Sequence, residues 1–335
     1  MDRERHGRGP LVTAKIFLAL ALAACGCAAG GGSITISLAP VRVDSPSSIR
    51  RTALAAIDGR AEVFVSVTSA GPPPRTVVSS RPVKDGTTAW TQRISLAQLL
   101  PPAPAWDVEA SPGSVPRVII ERAGGALNQL SLIGPGGEVG LTRLPLGSYG
   151  EPRFARRVPE SPRRVLTAVL DGERLATFEV APSGACGPVK VIRNAVSGVA
   201  VRRRGGYALF FKERRPGPVR GESTSPGVLR QIDLGPDFEP TGPVLSPLGE
   251  TVVYEVDADA AGDGLAIVAT VPQGLLVMIG KTIQGTWRTT AQQLIPRSEP
   301  LFGPSLLATS DGLRVAAVEI GAGGQAQLLL GRTAR

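Results

Sequence analysis

The sequence predicts an all-β chain, a β-propeller of six blades, and three observations carry that prediction. Thirty prolines and forty-one glycines are scattered through the 335 residues, which argues against long helices. Short apolar runs rich in Val, Ile and Leu recur between turn residues, the pattern of strands. A turn followed by an apolar run returns about every 40–50 residues, the spacing of propeller blades.

The elements follow in chain order. Turn anchors fall near residues 59, 114, 161, 205, 249 and 312, at intervals of 55, 47, 44, 44 and 63 residues. The strands after them are read at Val63-Phe64-Val65, Val118-Ile119-Ile120, Val165-Leu166-Thr167, Ala208-Leu209-Phe210-Phe211, Val252-Val253-Tyr254 and Val315-Ala316-Ala317-Val318. Within most units a further strand follows, at 129–133, 174–178, 229–233, 275–279 and 327–330. Residues 33–43 alternate through Ile34, Ile36 and Leu38. They are placed beside 326–331, so that the last blade is completed and the ring has no exposed edge. Two stretches read as helical, 95–100, ended by Pro101-Pro102, and more weakly 47–56. The competing architecture is a β-sandwich plus a smaller β domain, with turns about every 8–12 residues and no long period.

The order strand, loop, strand behind Ser310-Asp311-Gly312 or Ser246-Pro247-Leu248-Gly249 resembles the TolB-like, WD40-like propeller repeat. The resemblance implies a propeller over roughly the span of the repeats.

The start of the chain has its own character. Arg3, Arg5, Arg8 and Lys15 precede an apolar run over 16–24, which is shorter than the roughly 20 residues a membrane helix needs. This order is that of an export signal. Leu22-Ala23-Ala24-Cys25 resembles the lipobox of bacterial lipoproteins. That resemblance implies cleavage before Cys25 and acylation of it, with Gly26 pointing to the outer membrane if the envelope is Gram-negative. The expected organisation is a signal peptide over 1–24, a lipidated Cys and Gly-rich flexible tether over 25–33, and a propeller over 34–335. Losing four basic and two acidic residues with the leader lowers the formal charge from +9 to +7.

Composition then restricts the chemistry. The sole histidine, His6, lies in the leader, so the mature chain lacks the usual general base near neutral pH and the Ser-His-Asp and Cys-His systems. Cys27 and Cys186 are the cysteines left beside Cys25 and could form an exported disulfide. Asp257, Asp259 and Asp263 space their carboxylates like a calcium loop, but Ala261 and Val268 stand where ligands belong. Gly134-Pro135-Gly136-Gly137 reads as a hairpin turn, because no helix follows to aim amides at a phosphate. Arg156, Arg157, Arg163 and Arg164 lie about one blade from Arg202, Arg203 and Arg204, so a propeller could join them into one anion-binding rim. No aromatic interleaving supports nucleic-acid binding, and no cofactor is implied.

These features lead to a membrane-anchored envelope lipoprotein, attached to the bilayer through acylated Cys25. Its propeller is expected to be a non-catalytic scaffold for an envelope protein partner. The alternative is a small-ligand or carbohydrate-binding sensor, or an Asp/Glu-dependent hydrolase, in the channel. Two carboxylates facing each other about 5–9 Å apart in a pocket would favour that alternative, and a channel lined by apolar and small residues would sink it.

Overall fold

The computed structural model describes residues 32–43, 49, 51–57, 60–68, 75–83, 90–97, 105–109, 116–124, 127–134, 136–156, 163–215, 226–321 and 324–333. The leader, Cys25, Cys27 and Arg157 lie outside these residues.

The described body, which begins at Gly32, is a six-bladed β-propeller. Two strands come first, β1 (Gly32–Ser33) and β2 (Ile36–Val41). Blade I is β3 (Thr52–Ile57), β4 (Arg60–Thr68), β5 (Arg75–Pro82) and β6 (Thr91–Ala97). Blade II is β7 (Trp106–Glu109), β8 (Arg117–Gly124), β9 (Leu127–Gly134) and β10 (Gly137–Gly140). Blade III is β11 (Tyr149–Phe154), β12 (Arg164–Leu170), β13 (Arg174–Val180) and β14 (Lys190–Arg193). Blade IV is β15 (Ala195–Arg203), β16 (Gly206–Arg214), β17 (Gly227–Leu234) and β18 (Val252–Val253). Blade V is β19 (Glu255–Ala261), β20 (Gly264–Val271), β21 (Gly274–Ile283) and β22 (Thr286–Pro296), and blade VI begins with β23 (Leu301–Thr309), β24 (Gly312–Ile320) and β25 (Ala326–Thr333).

In each blade the first strand is innermost, and neighbouring strands run antiparallel. The ring is closed by β2, which pairs with β25 as the fourth strand of blade VI, Ile36 opposite Thr333 and Val41 opposite Leu328. This is the closure read from residues 33–43. β1 adds a parallel fifth strand to blade V, Gly32 opposite Ala291.

The pattern of apolar residues follows from this arrangement. A second strand such as β12 is covered on both faces by neighbouring blades, so Arg164–Leu170 is buried throughout. An outer strand such as β22 is polar and largely exposed. Six apolar clusters are found among the described residues, one in each blade-to-blade interface. Each inner strand touches the next around the ring.

The turn-to-strand reading holds for five anchors. Those near 59, 114, 161, 205 and 312 mark the link from inner to second strand in blades I, II, III, IV and VI. The anchor near 249 does not. It precedes β18, and the corresponding hairpin of blade V turns at Gly262, whose φ is 61°. The two helical readings are also corrected. Residues 52–56 lie in β3 and 95–97 in β6, because pairing within a blade overrides local propensity.

Inner strands all run the same way, so the body has an entry rim, where they begin, and an exit rim, where they end. Hairpins joining first to second and third to fourth strands lie at the exit rim.

Candidate active site on the propeller axis

The sequence of the inner strands sets the chemistry of the axis. In β19, Glu255, Asp257 and Asp259 alternate with Val256 and Ala258, so one face of the strand is acidic and the other joins the core between blades IV and V. In β11 a bulge between Gly150 and Arg153 breaks the register and holds Glu151 at a φ of 48°. Bulges re-aim side chains, and here Glu151 meets Arg51, which precedes β3, at 3.0 Å.

Blades I to V contribute charged side chains to the resulting column, and blade VI contributes Ser305 and backbone amides. Near the entry rim are Arg51, Glu151 and Glu255, with Glu255 accepting the Gly303 amide. Lys212 of blade IV is fully buried, and its Nζ donates to the Tyr254 carbonyl at 2.6 Å. Deeper in, Asp107 accepts the Phe154 amide at 2.9 Å and Arg156 Nη2 at 3.3 Å. Arg156 also reaches Asp257 at 3.4 Å. Asp257 accepts the Leu306 amide at 2.9 Å, and Asp259 accepts the Ala308 amide at 2.8 Å. Each carboxylate therefore ties its own blade to the next. Blade VI continues the series, since Ser305 Oγ accepts the Leu54 amide at 2.9 Å and donates to Asp257.

Burial and neighbouring charge push these groups apart. Burial raises the Glu255 carboxyl above its ordinary value, and Glu151 adds to the rise. Burial works against ionisation of Glu151 too, but Arg51 and Arg153 outweigh it and hold that carboxyl low. Burial brings Lys212 down to about 8. Burial and the like charges of Arg51 and Arg156 lower Arg153. Its side chain is only 7% exposed, its nearest carboxylate oxygen on Asp107 is 4.0 Å away, and its buried Nη1 has no hydrogen-bond partner.

The basic set read from the sequence is divided. Arg156 lies on the axis, and Arg164 is buried against Glu109. Arg163 pairs with Glu179, Arg203 with Asp233, and Arg202 stacks over Tyr207. All come from the exit-rim ends of blades III and IV, but these five are engaged within the protein, while Arg204 is exposed. The calcium spacing also has another use. Asp257 and Asp259 lie in an extended strand bonded to amides of β23, while Asp263 pairs with Lys281. Among the described residues no group of three candidate ligands could hold a metal. Cys186 is buried, and burial pushes its thiol up to about 11.

The axial residues Arg51, Asp107, Glu151, Lys212 and Glu255 escaped the sequence reading, whereas Arg153 belongs to the basic stretch that includes Arg156. The signal available for blade V was the period of two through Glu255, Asp257 and Asp259.

A cleft of about 640 Å³ also opens between blades V and VI at the exit rim, lined by Ala261, Ile279, Thr309, Ser310, Leu313 and Thr333, among others.

No model of a known protein family matches the chain. No curated protein matches its sequence. Solved structures do match its fold. A Trypanosoma rangeli sialidase mutant displaying trans-sialidase activity has a TM-score of 0.54 at 12% identity, over 90% of this chain and 60% of its own, so this chain spans about three fifths of that length. The Aleuria aurantia lectin, in complex with α-methyl-L-fucoside, gives 0.56 at 9% identity, over 85% of this chain and 91% of its own. A subtype N11 neuraminidase-like protein of A/flat-faced bat (H18N11) gives 0.54 at 9% identity, over 91% and 95%. At this level of identity the likeness is one of fold, and it agrees with the six blades traced above.

Proposed function

We propose that this propeller binds an acidic carbohydrate, or a similar small carboxylate, at the entry mouth of its axis. The observation that carries the reading is Arg153, a buried guanidinium beside two other arginines with Nη1 unsatisfied. A ligand carboxylate would supply the missing acceptor in the paired geometry that guanidinium favours. The sialidase and lectin likenesses, in complexes with sialic acid and with a fucoside, support a sugar over the protein-scaffold role expected from the sequence. Calorimetric titration with sialic acid and with α-methyl-L-fucoside tests it. The acidic sugar is expected to bind, and Arg153→Met to abolish binding while leaving the fold intact. Equal binding of the neutral sugar, or binding unaffected by the substitution, would refute the reading.

A second reading is hydrolysis. Glu255 and Glu151 both face the charge of Arg51, the first carboxyl raised by burial and the second held low by Arg51 and Arg153, and opposite shifts of this kind mark an acid and its partner. On this reading Glu255 donates a proton to the leaving oxygen. Turnover of a nitrophenyl glycoside should fall as pH rises through the Glu255 value and vanish in Glu255→Gln.

We also propose that the chain works tethered to a bacterial membrane through acylated Cys25. More than one acyl chain is needed for stable attachment. Cys25→Ala should leave the membrane fraction yet stay folded, and retention after a carbonate wash would refute the tether.

A further inference from the structure

We infer that Glu255 is a second ligand-binding residue of the axial mouth, which takes up a proton from solvent as the ligand carboxylate arrives and donates it in a hydrogen bond to the ligand. This role rests on the docking of a carboxylate at Arg153 proposed above, and it adds a proton to that event.

The two carboxylates of the mouth are held differently. Glu151 is closed by its pair with Arg51 at 3.0 Å. Glu255, at the start of β19, has one donor to its side chain among the described residues, the Gly303 amide on Oε2. The residue is half-buried rather than sealed, so Oε1 is open to a ligand. The charges that face Glu255 are Arg51 before β3, Glu151 and Arg153 on β11, and Lys212 on β16. Asp257 of its own strand is engaged by Arg156 and the Leu306 amide. Of the inner strands flanking β19, β23 carries no charged side chain, and the charges of β15, Arg202 and Arg203, lie at its exit end.

A ligand carboxylate within reach of Arg153 Nη1 is therefore a third anion beside Glu151 and Glu255. Like charges crowded into a poorly solvated place drive one carboxyl to take a proton. Glu151 is committed to Arg51, whereas burial and Glu151 already raise Glu255, so Glu255 is the group that yields. No ligand bond breaks. A solvent proton joins Oε1, and the new hydroxyl donates to a ligand oxygen. The class this arrangement fits is a carboxylate with an oxygen on the adjacent carbon, as in an acidic sugar. Below the free value of Glu255 the group is already protonated and nothing is taken up. Above it, as far as the liganded value, uptake accompanies binding, and affinity falls by up to about tenfold for each unit that the pH rises.

The test is calorimetric titration of the full chain with sialic acid from about pH 5 to 8, in phosphate and in Tris at matched pH. The dependence of the heat on the buffer's own ionisation enthalpy counts the protons exchanged. The expected result is uptake rising toward one proton per ligand, lost in Glu255→Gln and kept in Lys212→Met. Infrared difference spectra of the wild type should show a protonated carboxyl band appearing as sialic acid binds, which needs no variant. Binding with buffer-independent heat at every pH would overturn the role of Glu255 and leave the Arg153 reading standing. Uptake that survives Glu255→Gln, or that disappears in Lys212→Met, would place the proton elsewhere and overturn it as well. Absence of any binding heat would remove the Arg153 reading and this role together.

Discussion

Glu151 and Arg51 show how much one pair decides. The two side chains are 20% and 12% exposed, so breaking the pair strands a charge in a poorly solvated place. Glu151→Gln is expected to cost about 3–5 kcal/mol, measured by urea unfolding near neutral pH. Because the folded carboxyl lies below its unfolded value, its contribution is in place above the ordinary Glu range. It is lost as pH falls through the folded value. The gap between wild type and variant should therefore close in acid, and a gap that widened would contradict the assignment. Arg153 behaves oppositely. Its folded value is lowered, so its charge is a net cost, and Arg153→Met should be neutral or stabilising by about 1 kcal/mol. At this scale little was legible in advance. A carboxylate at the start of an inner strand looks like any surface carboxylate until strand order sets it on the axis.

Among the elements, the inner strands of blades III and VI carry bulges, and each serves the axis. Gly303 has a φ of 54°, and a Cβ there would stand 3.2 Å from Arg51 Cα. Gly303→Ala should destabilise by about 1–3 kcal/mol, read as a lowered urea midpoint with an unchanged m-value. Bulges of this kind leave no periodic trace in sequence. Hairpins do, which is why five anchors fell on inner-strand turns. The sixth was misplaced because Ser246-Pro247-Leu248-Gly249 has the stronger turn chemistry. The true blade V turn at Gly262 sits among aspartates that suggested a metal loop. The stretches 47–56 and 95–100 read as helical from their composition, but Thr52–Ile57 and Thr91–Ala97 pair within blade I.

For the whole molecule, closure is the governing fact. β2 covers β25, and without it the last blade would expose an unpaired edge. Deleting residues 32–43 should remove the single cooperative unfolding transition and produce self-association on size exclusion. An intact monomeric transition would contradict the closure. This architecture was legible because the period of turns and the alternation through Ile34, Ile36 and Leu38 are properties of chain order alone. The axial chemistry was not, since Arg51 and Glu151 are brought together from 100 residues apart.

The most direct measurement is a crystal structure of the chain soaked with sialic acid. Density is expected on the axis with the ligand carboxylate within hydrogen-bond reach of Arg153 Nη1. Density confined to the cleft between blades V and VI, or an empty axis at saturating ligand, would contradict it.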